Sequence, residues 1–234
     1  MLSKIKKKLK MTLFPLGFCN VKNCYYYIKN DIAFCLSFDQ PSGIVYCTFH
    51  IIPLYIPCEM RYYTFGNRLN SFPNSSVGIL MKSASDREID VWFENLFYTL
   101  ERFIFPFFQN ISDPLQLLHF VNSDYVAVSQ FFHCSPDQLE RLRVFTYLCL
   151  NDYDNLKRAI QEAYVGISHA NYMDSVKKER HNELLEIESH LSDDNFCGSQ
   201  FCAEIVNQSL QRCFGKLIYN TDEDESPHYN RSKM

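Results

Sequence analysis

The chain has 234 residues, of which 47% are hydrophobic and 15% aromatic, so it can bury a substantial core and is not a disordered protein. Its formal net charge of −4 excludes a general attraction to nucleic acid or anionic lipid, so any such binding must be local. Ten cysteines are present, but the apolar run from Met11 to Phe18 is short and broken by Pro15 and Gly17, which argues against export. We therefore expect a cytoplasmic protein with reduced, mostly buried thiols.

The first third of the chain predicts a helix followed by an antiparallel sheet. A lysine-rich segment carries an apolar stripe at helical spacing, which predicts a helix that Pro15 and Gly17 end. Alternating apolar residues then predict three strands in a meander with one apolar side, and the turn at Asp39 to Gly43 precedes the third strand. The strands are expected at 24–28, 32–38 and 44–52, with a further short strand at 61–65 before Gly66 and a return to the sheet at 77–82.

The strongest local signal is a helix that begins at Ser85. Ser85 and Glu88 have the spacing of a capping box, and apolar residues follow at i, i+3 and i+4. We expect this apolar face to cover the sheet, with Trp92 in the core and Pro106 ending or kinking the helix. The same stretch contains Asp90, Glu94, Glu101 and Arg102, so we expect no membrane span.

From position 112 onward the pattern predicts only helices. Pro114 and Pro136 each follow a serine by one or two positions, which is typical of a first helical turn. Apolar positions then indicate a helical hairpin that turns at Asn151 and Asp152. The remaining predicted elements are a charged helix over 172–191, an amphipathic helix over 201–214 ending at Gly215, and a polar tail.

Together these patterns define the expected fold class as α+β. An N-terminal helix and an antiparallel β-meander pack on a long amphipathic helix, and an all-helical C-terminal half follows. The expected domains are an α+β domain at 1–110, a helical domain or extension at 111–219, and a disordered tail at 220–234.

The sequence contains no recognisable catalytic or metal-binding motif. It has no Gly-rich phosphate loop, no C-x-x-C pair, no H-E-x-x-H and no G-x-S-x-G, and its histidines are not paired at helical spacing. We therefore expect no metal and no cofactor. We interpret Glu179, His181 and Glu183 as part of a solvated charged helix face, and Cys134 beside His133 as an ordinary thiol.

A surface segment from Tyr55 to Arg68 is the best candidate for binding a partner. Its prolines favour irregular backbone, and it is rich in arginine and tyrosine, which are enriched at protein interfaces. The alternative interpretation is an edge strand with half-buried aromatic residues, whose charges block aggregation. The candidate partner-binding residues are Tyr55, Glu59, Arg61, Tyr62, Tyr63 and Arg68.

The opening Leu13-Phe14-Pro15-Leu16-Gly17-Phe18, followed by an aromatic hairpin and a third strand, resembles a family of uncharacterised small bacterial domains. The resemblance covers roughly the first hundred residues. It implies a bacterial cytoplasmic α+β domain without established catalytic residues.

Three functions are compatible with these patterns. The leading hypothesis is a non-enzymatic protein-interaction module, immunity-like or antitoxin-like, whose partner is another protein. The first alternative is a hydrolase with a site between the sheet and the helical half, where His50 would be the base and Glu59 and another carboxylate would line the pocket. The second is binding of nucleic acid through lysines of the first helix, such as Lys6, Lys7 and Lys10. The same lysines could contact anionic headgroups, but we favour their interpretation as a solubilising outer face.

Overall fold

The protein is described by a computed structural model that covers residues 2–57, 65–72, 75–111, 113–123 and 136–218. Its fold is α+β: an N-terminal helix, an antiparallel sheet and a helical C-terminal half. This confirms the predicted fold class. The predicted tail at 220–234 lies outside the described residues.

The first helix, α1 (Leu2–Leu13), packs one apolar stripe into the core. Ile5, Leu9 and Leu13 are fully buried at i, i+4 and i+8, as the sequence pattern predicts. A short 3₁₀ turn follows, and Gly17 ends it with a φ of 85°, a left-handed conformation that glycine adopts without strain.

The described strands form one antiparallel arrangement in the order β1-β2-β3-β4-β5, with β6 beside β4. The strands are β1 (Cys19–Val21), β2 (Cys24–Lys29), β3 (Ile32–Asp39), β4 (Ile44–Pro53), β5 (Phe65–Arg68) and β6 (Leu80–Met81). The meander of β2, β3 and β4 and the return at β6 were predicted. Positions 61–64 of the strand predicted at 61–65 lie outside the described residues, and its predicted end was wrong, because Gly66 and Asn67 pair with β4 inside the strand.

Both faces of the sheet are buried at β3, whereas the sequence predicted one apolar side. Phe34 and Leu36 lie on one face, and Cys35 and Ser37 lie on the other, and all four side chains are buried. On the first face the Phe34 ring lies 4.4 Å from the ring of Phe108. The face of β3 that carries the smaller side chains is therefore also covered by protein and does not face solvent.

The helix α2 (Asp86–Thr99) begins at the predicted capping box. The Glu88 backbone N–H donates to Ser85 Oγ at 3.3 Å, and the Ser85 N–H donates to Glu88 Oε2 at 2.7 Å. Trp92 is buried, and its indole N–H donates to the carbonyl of Gly78 at 2.9 Å. The helix thus covers the sheet with its apolar face, as predicted.

The prediction that Pro106 ends or kinks this helix was incomplete. A π-helical segment (Leu100–Ile104) continues α2 directly, and α3 (Phe105–Asn110) follows it. Pro106 lacks an N–H and its ring would clash with the preceding turn of a regular helix. The wider π turn lies at that preceding turn, so the chain continues as a helix past the proline.

The C-terminal half is helical throughout the part that the structure describes. Its helices are α4 (Pro114–Ser123), α5 (Pro136–Cys149), α6 (Tyr153–His169), α7 (Asp174–His190) and α8 (Gly198–Ile218). The predicted turn is present, with Asn151 at a φ of 53° and Asp152 capping α6. The predicted end at Gly215 was wrong, because α8 continues to Ile218.

Two polar contacts connect the helical half to the segment that follows β4. The hydroxyl groups of Tyr55 and Thr146 lie 3.2 Å apart, and both side chains are fully buried. Arg141 on α5 donates to the carbonyl of Pro57 at 2.5 Å. These contacts hold the chain after β4 against α5. The division into domains at residue 110 remains a prediction.

Arg141 also forms a largely buried ion pair with Glu183 on α7. Its Nε donates to Glu183 Oε2 at 2.9 Å and one Nη donates to Oε1 at 2.5 Å, with about 15% of each side chain exposed. The interpretation of Glu183 as part of a solvated helix face was therefore wrong. His181 does lie on the exposed part of that helix.

None of the described helices is long and apolar enough to cross a membrane.

Candidate functional site

A polar groove crosses one face of the sheet at the end where β3 leads into β4. Asp39 pairs with Tyr46, and Thr48 pairs with Arg68, in the register of the antiparallel strands. Tyr46 and Thr48 are two positions apart on β4, so these four side chains lie on the same face. The groove has a volume of about 430 Å³ and is lined by Asp39, Gln40, Pro41, Tyr46, Thr48 and Arg68.

Arg68 forms one wall of the groove. Its guanidinium carbon lies 4.4 Å from the centre of the Tyr46 ring, which is a cation–π contact. The side chain is exposed, and it forms no ion pair or side-chain hydrogen bond with another described residue. The ring fixes the guanidinium over the groove while its N–H donors stay available for a carboxylate or a carbonyl oxygen.

Two further polar residues line the groove. Asp39 carries a negatively charged acceptor, and Gln40 carries an amide donor. The Nε2 atom of Gln40 is buried and has no hydrogen-bond partner in the described part of the protein. Leaving a buried amide nitrogen without a partner costs about 1–3 kcal/mol, so Gln40 destabilises this end of the sheet. Asp39 is exposed at the rim, where its carboxylate can accept from an N–H or an ammonium group.

His50, the predicted catalytic base, lies two positions beyond Thr48 on the same face but inside the sheet. It is 9% exposed, and its Nε2 lies 3.1 Å from the hydroxyl of Ser37. Burial lowers the pKa of His50 to about 4, so the imidazole is neutral near pH 7 and a weak base. His50 does not line the groove. These observations give no support to the hydrolase hypothesis.

The six predicted partner-binding residues have different positions. Arg68 lies in the groove, whereas Tyr55 is fully buried and hydrogen-bonded to Thr146, so the prediction that it lies at the surface was wrong. A tyrosine between two prolines gave no sequence signal for a partner 91 positions away. Glu59, Arg61, Tyr62 and Tyr63 lie outside the described residues.

Sequence reasoning did not single out Tyr46, Thr48, Asp39 or Gln40. A usable signal was present in the alternation of the third strand, which places Tyr46 and Thr48 on the face opposite Cys47 and Phe49. The turn after β3 then brings Asp39 and Gln40 beside them. What the sequence could not show was the register of β5, which places Arg68 opposite Thr48.

A second polar cluster surrounds Cys197 at the start of α8. The thiol lies 3.2 Å from the hydroxyl of Ser199, and the Ser199 backbone N–H donates to Asn151 Oδ1 at 3.0 Å. The hydrogen bond from Ser199 lowers the pKa of the Cys197 thiol below its ordinary value, and backbone N–H groups add to the effect. These opposite directions predict a more reactive thiol at Cys197 than at a buried one such as Cys35, whose pKa burial raises.

In the part of the chain that the structure covers, no group of three or more His, Cys, Asp or Glu side chains could hold a metal ion. The predicted pair of Cys134 and His133 lies outside that part.

Comparison with known proteins finds no match to a family model, a curated protein or a solved structure. The resemblance at residues 13–18 and the bacterial, cytoplasmic setting that it implies therefore remain predictions.

Proposed function

We propose that this chain is a non-enzymatic protein-interaction module that binds another protein through the groove of Asp39, Gln40, Tyr46, Thr48 and Arg68. The observation that carries the proposal is the Arg68 guanidinium stacked on Tyr46, with its donors directed to no described residue. Its specific form is the immunity-like or antitoxin-like function expected from the sequence, in which the protein occludes its partner.

The composition of the groove supports a protein partner. Arginine and tyrosine dominate the residues whose truncation costs most binding energy at protein interfaces. The stacked guanidinium is already oriented, so less side-chain entropy is lost when a partner binds. We infer that the partner places an acceptor group, a side-chain carboxylate or a backbone carbonyl, against the guanidinium of Arg68.

The burial of His50 also favours a non-enzymatic function. A general base is most effective when its pKa lies near the working pH, and burial holds the pKa of His50 at about 4. Ser37, its hydrogen-bond neighbour, is also buried. This pair therefore fits a structural function inside the sheet better than proton transfer to a bound substrate.

The experiment begins with site-specific cross-linking. A photoreactive phenylalanine analogue replaces Thr48 in the full chain, and a matched chain carries it at Val165, an exposed apolar position on α6. Both are irradiated in lysate of the native host, and cross-linked proteins are identified by mass spectrometry. We expect at least one protein that is captured from position 48 and not from position 165.

The captured protein is then purified and its affinity measured by calorimetry. Because Arg68 is exposed and its side chain forms no ion pair with another described residue, Arg68→Ala should leave thermal unfolding nearly unchanged. We expect at least about a tenfold weaker affinity for Arg68→Ala, as for an interface anchor. The matched control is Arg158→Ala, since Arg158 is an exposed arginine on α6.

Two outcomes would contradict the proposal. If Arg68→Ala and Arg158→Ala bind the captured protein with the same affinity as the wild type, the groove is not the binding surface. If position 48 captures no protein that position 165 does not also capture, the assignment as a protein-interaction module is wrong.

A further inference from the structure

The outer face of α1 combines lysines with exposed apolar side chains. The inner face is fixed by Ile5, Leu9 and Leu13, which are fully buried. At 3.6 residues per turn, the opposite face of the helix carries positions 7, 10 and 11. Position 14, the first of the 3₁₀ turn that follows, continues this spacing of i, i+3, i+4 and i+7. All four are exposed, and they are Lys7, Lys10, Met11 and Phe14.

The apolar part of this face extends into the 3₁₀ turn that follows α1. Met11 is 70% exposed, Phe14 is 45% exposed and Leu16 is 49% exposed. Single exposed apolar residues are common at protein surfaces and need no explanation. Here three large apolar side chains lie within six positions, and the left-handed Gly17 fixes the turn that presents Phe14 and Leu16.

The lysines of α1 fall into two groups with different surroundings. Lys4 pairs with Asp86 at 2.9 Å and Lys8 pairs with Asp90 at 2.7 Å, so the lysines beside α2 are neutralised. Lys7 and Lys10 form no ion pair with an acidic group in the described ranges, and Lys10 Nζ lies 5.9 Å from the centre of the Phe14 ring. The positive charge on the outer face is therefore uncompensated.

We propose that this face, formed by Lys7, Lys10, Met11, Phe14 and Leu16, binds the surface of an anionic lipid membrane. The apolar side chains would enter the boundary between headgroups and acyl chains, while the lysines bind lipid phosphates above them. This is the arrangement of a helix that lies in the membrane interface with its core-facing side still packed on its own protein. The proposal is independent of the groove at Arg68.

A membrane fits these residues better than a nucleic acid does. Both would supply phosphates for Lys7 and Lys10, because both carry a dense negative charge. Met11 and Leu16 are aliphatic, however, and they gain from leaving water only where a partner offers hydrocarbon. The overall charge of −4 means that the attraction must come from this local face.

The test measures binding of the full chain to vesicles by co-sedimentation. One set of vesicles contains only phosphatidylcholine, and the other contains about 30% phosphatidylglycerol. We expect binding to the anionic vesicles, at least about tenfold weaker binding to the neutral ones, and weakening as salt is raised.

Paired variants separate the contributions of charge and of apolar contact. K7E/K10E should weaken binding to the anionic vesicles at least about tenfold, whereas K157E/K178E, the same charge change at exposed lysines of α6 and α7, should not. M11S/F14S should also weaken binding, whereas V165S/M173S, at exposed apolar positions elsewhere, should not. All four pairs of positions are exposed, so circular dichroism should show unchanged folding.

Three outcomes would overturn the proposal. The first is a folded wild-type chain that does not bind the anionic vesicles, and the second is equal binding by the outer-face variants and their controls. The third uses a DNA duplex as the probe in place of vesicles. If K7E/K10E abolishes duplex binding, M11S/F14S leaves it intact and vesicles do not bind, the lysines serve a nucleic acid.

Discussion

The hydroxyl of Ser37 and Nε2 of His50 lie 3.1 Å apart between β3 and β4, and both side chains are buried. Each belongs to the face of the sheet that carries small and polar residues. Because burial disfavours the charged imidazolium, it lowers the pKa of His50 to about 4. Burial of His50 should therefore make the stability of the protein depend on pH.

The first prediction concerns this dependence. An unfolded histidine binds a proton below about pH 6.5, whereas His50 in the folded chain resists protonation until about pH 4. The free energy of unfolding should therefore fall as the pH is lowered through this window, with a loss of about 2 kcal/mol between pH 7 and pH 5 from this group. Urea unfolding at both pH values, compared between the wild type and His50→Gln, measures the difference.

Because His50→Gln can itself perturb the sheet, titration of the His50 ring by NMR in the wild type provides a direct check. A ring that titrates near pH 6.5 would contradict the prediction, whatever the variant does.

The second prediction concerns Trp92, the buried anchor of α2. Trp92→Ala should lower the free energy of unfolding by about 3–5 kcal/mol, because it removes a large buried side chain and leaves a cavity. Trp92→Phe should cost less than Trp92→Ala because it keeps much of the buried apolar volume, although it also loses the hydrogen bond to Gly78. The adjacent control is Val91→Ala, at a half-exposed position, which should stay within about 0.5 kcal/mol. Unfolding is monitored by circular dichroism. Equal losses of unfolding free energy for Val91→Ala and Trp92→Ala would show that Trp92 is not an anchor.

The third prediction concerns the ion pair of Arg141 and Glu183. Glu183→Gln leaves a largely buried guanidinium without its counter-charge and should destabilise the chain by about 3–5 kcal/mol. The matched pair is Arg143 with Glu162, which is more exposed and separated by 3.6 Å. Glu162→Gln should change stability by less than about 1 kcal/mol, as exposed ion pairs do. Chemical denaturation of the two variants under the same conditions decides whether burial distinguishes them.

The fourth prediction concerns the reactivity of Cys197. Its thiol pKa is lowered by the hydrogen bond from Ser199, so it should react with iodoacetamide at neutral pH faster than a small model thiol. Ser199→Ala should slow that reaction several-fold, because it removes the largest stabilising contact of the thiolate. Peptide mapping by mass spectrometry assigns the label to its cysteine. Labelling of Cys197 at the rate of glutathione would refute the lowered pKa.

Local sequence signals predicted the helices and strands that depend on neighbouring residues. The capping box at Ser85, the prolines at 114 and 136, and the alternation of β3 and β4 act over a few positions, and all are found in the structure. The end of β5 was misplaced because Gly66 and Asn67 are typical of turns, while pairing with β4 determines their conformation. β1 was missed because three residues give too short a pattern to recognise.

The candidate groove depended on contacts that no local pattern reveals. Arg68 was selected for its residue type, and only the register of β5 on β4 places it over Tyr46. Residue type alone also predicted Tyr55 at the surface. The structure instead buries Tyr55 against Thr146 on α5. Such long-range contacts depend on how elements pack, which periodicity does not determine.

The π-helical segment Leu100–Ile104 amounts to a single extra residue inserted between α2 and α3. Each residue turns a helix by about 100°, so deletion of one residue there would rotate everything after it by that angle. Phe108 would then turn away from the Phe34 ring, which it now meets at 4.4 Å. The insertion therefore sets the rotational phase of α3, and a related chain without it would need the apolar positions of α3 shifted by one to cover the same sheet.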